Sequence, residues 1–118
     1  MKPVIQDYKE LIAYQKSYAM VLLLTASFPK EKIYGLTSQI RRAALSIPSN
    51  IAEGYMRGCK EYTQFLTIAL GSTAEVETQL SLGKDLGFCT DDEFREIMSL
   101  NKDVLKLLTS YISNLQKK

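Results

Sequence analysis

Three acids, two cysteines and one polar line are the residues through which this chain could do chemistry. Glu53, Glu75 and Glu77 could meet as paired carboxylates, for general acid–base work or to hold a magnesium ion. Residues two apart on a helix do not face the same way, so Glu75 and Glu77 cannot share a face, and at least one reads as a solvated charge. Cys59 and Cys89 lack metal-like or redox-like spacing. If one long helix separates them, thirty residues at about 1.5 Å each set them roughly 45 Å apart, far beyond the reach of a disulfide. Both read as small hydrophobes or free thiols of a reducing compartment. The sequence has no histidine, which removes the commonest general base and metal ligand, every catalytic triad, and the Glu-x-x-His di-iron sites of helical bundles. Gly35, Gly54 and Gly58 lack the spacing of a phosphate-binding loop. No catalytic residue, metal site or cofactor is assigned, and the chain reads as a non-enzyme.

The polar line is Gln39, Arg42, Ser46, Ser49/Asn50 and Glu53, spaced three and four residues apart, mostly short amides and hydroxyls. Ser72 and Glu75 stand one turn apart on the following segment. Two readings stay open. The line is a solvent face, or it is a hydrogen-bonded network between helices or between subunits that fixes their register.

The elements that must position these residues are helices. The chain has 118 residues, 46% apolar and 24% charged, with three prolines and six glycines, a composition fit for one globular domain of long helices. The first helix is expected over about 8–28. Asp7 and Glu10 would form a capping box, Leu11, Tyr14, Tyr18 and Leu22 a stripe, and Phe28-Pro29 a stop. Ile12, Ala19, Met20 and Leu23 fill a neighbouring face, so this helix should be covered on more than one side. Lys30 to Gly35 reads as a loop. The second helix, 36–57, carries Leu36, Ile40, Ala43/Ala44, Ile47, Ile51 and Tyr55, with Pro48 expected to kink it. The third, 59–87, carries Tyr62, Phe65/Leu66, Ala69, Thr73, Val76, Leu80 and Gly83. Gly71 within it is expected to mark the close approach of another backbone. Leu86-Gly87-Phe88 reads as a stop. Thr90-Asp91-Asp92-Glu93 is a capping box opening a fourth helix, 91–116, with Ile97/Met98, Asn101, Val104/Leu105 and Leu108 on its apolar face. Four helices with short links predict an all-α, antiparallel up-down-up-down four-helix bundle. The longest apolar run, Tyr18 to Leu24, is too short for a membrane span, and an acid at Asp7 comes too early for a signal peptide; a cytoplasmic protein is expected.

The run Gln39-Ile40-Arg41-Arg42-Ala43-Ala44, followed by Ser46-Ile47-Pro48-Ser49-Asn50-Ile51-Ala52-Glu53-Gly54, resembles the signature of the bacterial four helix bundle protein family, which includes proteins encoded in intervening sequences of 23S ribosomal RNA genes. Glu61-Tyr62, Phe65-Leu66, Ile68-Ala69, Gly71-Ser72 and Glu75 resemble its second signature. With Phe28-Pro29, Tyr34-Gly35-Leu36 and Leu86-Gly87, the resemblance covers nearly the whole chain. It implies a four-helix protomer assembled into a ring, most often a homopentamer, and relation to the accessory protein of diversity-generating retroelements, which partners a reverse transcriptase and binds nucleic acid. Met56 and Gly58-Cys59 depart from the usual pattern at the turn between the second and third helices.

The formal net charge is only +2, but it is unevenly spread. Residues 29–60 hold six bases against two acids, net +4, and residues 61–103 hold three bases against nine acids, net −6. A ring would multiply the basic region into a field able to attract phosphate, with Arg41, Arg42, Arg57 and Lys60 as the contacts to RNA or DNA and no residue reading bases. Equally, the acidic helices of one copy could face the basic helix of the next, which leaves an oligomeric scaffold that binds only protein.

Overall fold

The computed structural model describes residues 7–29 and 35–117, without the Cys59 side chain; the readings of the N-terminal residues, the 30–34 loop and Cys59 burial lie outside that set. Four helices, α1 (Ile12–Ser27), α2 (Leu36–Arg57), α3 (Cys59–Asp85) and α4 (Asp91–Gln116), follow a 3-10 turn at Tyr8–Glu10, and no strand occurs among the described residues. They form a body 50 × 23 × 21 Å in extent. α2 packs on α3, α3 on α4, and α1 on both α2 and α4, while the backbones of the diagonal pairs stay apart among the described residues.

Local chemistry accounts for most boundaries. Asp7 accepts from the Lys9 amide at 2.9 Å and so caps the 3-10 turn, not the expected helix. Leu11, extended at φ −69° and ψ 129°, buries its side chain and delays α1 to Ile12. Phe28 before Pro29 is also extended and closes α1 through its amide on Leu24 O. α2 runs unbroken through Pro48, which is buried. At the end of α3, Phe88 N–H bonds Gly83 O at 2.8 Å and Gly87 N–H bonds Lys84 O at 3.0 Å, with Gly87 at φ 80°. This Schellman pair satisfies two orphan carbonyls and needs the left-handed residue glycine supplies. α4 opens on a complete capping box: Glu93 N–H donates to Thr90 Oγ1 at 3.1 Å and Thr90 N–H to Glu93 Oε1 at 2.9 Å.

The core takes Ile40, Ala44, Ile47 and Ile51 from α2, Leu66, Ala69, Val76 and Leu80 from α3, and Ile97, Val104 and Leu108 from α4, all fully buried. Each large aliphatic side chain removed from water contributes about 1.5–3 kcal/mol before the entropy cost of ordering it. On α1 the buried line is Ala13, Ser17, Met20 and Leu24; of the expected stripe Leu11 is buried and Tyr14 packs against the core, but the rest does not follow. Tyr18 and Leu22 stand on the outside, 52% and 61% exposed. Between Ile12 and Ser27 Lys16 is the single charge, so apolar periodicity alone could not point α1 toward the core.

Gly54 marks the close approach of α2 and α3 and Gly83 seats the Phe28 ring, whereas Gly71 does neither. It is exposed, and an added Cβ would meet nothing within 4 Å. At Gly54 an added Cβ would stand 2.6 Å from Phe65 Cβ, and at Gly83 2.6 Å from the Phe28 ring.

Candidate functional site

Ser46, near the middle of α2, is the hub of a small polar network. The Asn50 amide, one turn on, donates to Ser46 O at 2.8 Å and to Ser46 Oγ at 2.9 Å. From α3, the nearly buried Ser72 hydroxyl donates to Ser46 Oγ at 2.9 Å. The inner part of the α2 polar line therefore links two helices, while its outer members, Gln39, Arg42, Ser49 and Glu53, are exposed. Two of the line's six residues join the helix-to-helix network, and the other four are exposed.

Above the network the α2–α3 seam opens into a cavity of about 180 Å³ lined by Gln39, Arg42, Ala43, Ser46, Ser72 and Glu75. Helical spacing explains the wall: 39, 42, 43 and 46 share one face of α2, and 72 and 75 lie one turn apart on α3. Arg42 and Glu75 stand on opposite helices, and among the described residues no ion pair takes up either charge. Asn50 reaches the cavity only through Ser46. Glu53 lies outside it, held by Arg57.

The four bases of the expected phosphate surface are placed very differently. Arg41 is half-buried and turned toward the C-terminal end of α1, its guanidinium 3.4 Å from Thr25 O and 3.5 Å from Phe28 O. That position suits a cation, because helix C-terminal carbonyls carry partial negative charge. Arg57 is clamped by two acids, Glu53 at 2.9 Å and Glu61 at 3.5 Å, and lies over the Phe65 ring; its pKa is raised, first by the hydrogen bond and charge of Glu53. Arg42 and Lys60 are exposed, and no ion pair holds them among the described residues. The 53–57 spacing was the signal for one arm of the clamp, since charges four apart on a helix meet; Glu61 lies past the Gly58 break and reaches Arg57 from the first turn of α3.

Glu53 is held by Arg57, and Glu75 lines the α2–α3 cavity. Among the described residues no three acids or cysteines are grouped closely enough to hold a metal ion. Cys89 is a half-buried free thiol, its pKa raised by burial and by Glu93 and Asp91.

Two further features were not anticipated. Along the α1–α2 seam a groove of about 210 Å³ is lined by Tyr14, Tyr18, Leu45, Pro48, Ser49 and Ala52. Leu22 continues this apolar surface one turn along α1, and Leu45 is 56% exposed. Tyr8, Tyr55 and Tyr62 form edge-to-face contacts at 6.4 and 5.8 Å, with Tyr14 joining through Tyr8 at 5.2 Å. Burial, with smaller contributions from Tyr111 and Tyr55, pushes the Tyr62 phenol up to about 12. Tyr55 and Tyr62 lie three and four residues either side of Gly58, which links α2 to α3.

Residues 9–110 match the family described as 23S rRNA-intervening sequence protein. A crystal structure of a protein of unknown function from Bacteroides thetaiotaomicron VPI-5482, assigned to the S23 ribosomal protein family, superposes with a TM-score of 0.78 at 24% identity, covering 86% of this chain and 98% of that one. At that identity the likeness speaks to the fold. No curated protein matches the sequence.

Proposed function

This chain belongs to the 23S rRNA-intervening sequence protein family, and from that premise we propose that it works as a non-enzymatic oligomer associated with nucleic acid. The observation that carries the reading is the apolar surface left open on α1 and α2. A helix apolar on all sides is one covered on all sides in its working state, yet Tyr18 and Leu22 are more than half exposed. A second copy is the occupant we assign to that surface. If a different face of the next copy supplies the contact, the arrangement is head-to-tail and closes into a ring when the rotation allows. A homopentamer of antiparallel up-down-up-down bundles is our reading of that ring. No helix among the described residues is long and apolar enough to cross a membrane, and we place the protein's work in the cytoplasm.

Arg42 and Lys60 are the bases we assign to nucleic acid, because Arg41 and Arg57 are already engaged within the chain. Repeating these two around a ring would build the field that one nearly neutral copy lacks. A family named for an intervening sequence of 23S rRNA makes RNA the first nucleic acid to try. The test is fluorescence anisotropy with structured RNA at about 50 and 200 mM salt, where counterion release separates phosphate binding from other contacts. The Arg42→Ala/Lys60→Ala double variant runs alongside, with the mass of both proteins recorded. Binding that weakens with salt and with the double change, at unaltered mass, is the expected result.

A second reading, an oligomeric scaffold that binds only protein, is favoured by the Arg57 clamp and the Arg41 contacts, which withdraw two of four candidate bases. Absence of RNA and DNA binding at low salt, from a protein that still self-associates, would select it.

A further inference from the structure

We infer that the cavity between α2 and α3 is a base-reading site that takes a single unpaired guanine. The inference rests on the nucleic-acid reading above and adds to it a specificity that a phosphate surface does not have. The cavity carries one positive wall, Arg42, and one negative wall, Glu75. A phosphate or carboxylate seated inside the cavity would meet Glu75, so Arg42 adds to the long-range field around the ring but is not itself a phosphate seat. An ammonium or guanidinium drawn to Glu75 meets Arg42. The fitting occupant is therefore neutral overall, with a donor edge for the carboxylate and an acceptor edge for the guanidinium. The cavity opens to solvent along the seam, whereas free small molecules are mostly enclosed by their sites. A group carried on a larger molecule and inserted sideways suits this shape, and about 180 Å³ gives room for one planar base.

The donor–acceptor pattern then selects among bases. An ionised carboxylate accepts and cannot donate, and its two oxygens suit two parallel N–H groups. Guanine alone presents two adjacent donors, N1–H and N2–H, on its Watson–Crick edge. Adenine sets an acceptor beside its amino group, cytosine likewise, and uracil flanks its one N–H with two acceptors. Guanine also offers O6 and N7 as acceptors, the atoms Arg most often reads. Gln39 and Ser46 supply further donors. The Ser46 oxygen already receives the Asn50 amide and the Ser72 hydroxyl, which leaves its own proton to donate. Unstacked bases of single-stranded RNA are read on such edges.

The test uses short single-stranded RNAs made of adenines, with one central position occupied by guanine, inosine or adenine, titrated by anisotropy at low salt. The guanine strand should bind about tenfold more tightly than the all-adenine strand. Inosine, which lacks the 2-amino group, should fall between. Glu75→Gln and Arg42→Ala should each remove the difference between strands, with helix content and mass unchanged; Glu75 is exposed, so its substitution leaves the core intact. Equal affinity for all three strands, or a guanine preference that survives Glu75→Gln, would overturn the site while leaving nucleic-acid association standing. Failure to bind any strand would overturn the association and the site with it.

Discussion

The two long sides of α2 are completed in different ways. Toward α3 the helices approach so closely that a methyl group on Gly54 would stand 2.6 Å from Phe65 Cβ, and Ser46, Asn50 and Ser72 are hydrogen-bonded across the seam. Toward α1 the seam stays open: Leu45 and Tyr18 line a groove, and both are more than half exposed. One side is closed by the chain itself except where the cavity between Arg42 and Glu75 opens. The other has apolar surface that no described residue covers, and it is there that we propose copies of the chain meet.

The contrast can be broken most severely at Gly54. Gly54→Ala should destabilise the protein by about 1–3 kcal/mol, the usual cost of overpacking a closed contact, and Gly54→Leu should cost more; urea unfolding measures both. An unchanged midpoint for Gly54→Ala would show that the α2–α3 seam yields more easily than its geometry says.

The closed end of the same seam gives a pH signature. An isolated tyrosine loses its proton near 10, whereas the Tyr62 phenol is held up to about 12. Between those values the unfolded chain binds fewer protons than the folded one, so stability falls as pH rises. The Tyr62 contribution is fully present below about pH 10 and is gone above about 12. Melting temperatures across that window should decline less steeply for Tyr62→Phe than for the native protein. Equal slopes would place Tyr62 in a wetter setting.

Gly71 sharpens the contrast from the other direction. It is exposed on α3 with open space around it, so Gly71→Ala should stabilise by up to about 1 kcal/mol through helix propensity alone. Thermal unfolding would show the gain, and a loss would mean that a neighbour does approach there.

These glycines also show where the sequence could be read and where it could not. The stripes Ile40–Ile47–Ile51, Leu66–Ala69–Val76–Leu80 and Ile97–Val104–Leu108 are strongly one-sided, and the core follows them. Gly54 continues the α2 stripe one turn past Ile51, while Gly71 falls between Ala69 and Thr73 on the opposite face, so the correct assignment was present in the spacing. On α1 it was not. Apolar residues surround that helix, and the buried line through Ala13 and Ser17 looks weaker in sequence than the exposed line through Tyr18 and Leu22. The polar residues of α2 and α3 were readable as a group from their three- and four-residue steps. That Arg42 faces a cavity while Arg41 turns to the end of α1 was not, because adjacent helical residues diverge by about 100° and their packing environment decides what each meets.

On the reading proposed above, copies of this chain meet on the open side of α2, with α1. That reading is tested most directly by light-scattering mass of the native protein and of the Leu22→Asp/Leu45→Asp double variant, both exposed positions outside the core. The expected native mass is a multiple of 13.3 kDa, with the variant at the single-chain mass and the same helix content. A native protein at 13.3 kDa, or a variant that keeps the native mass, would contradict it.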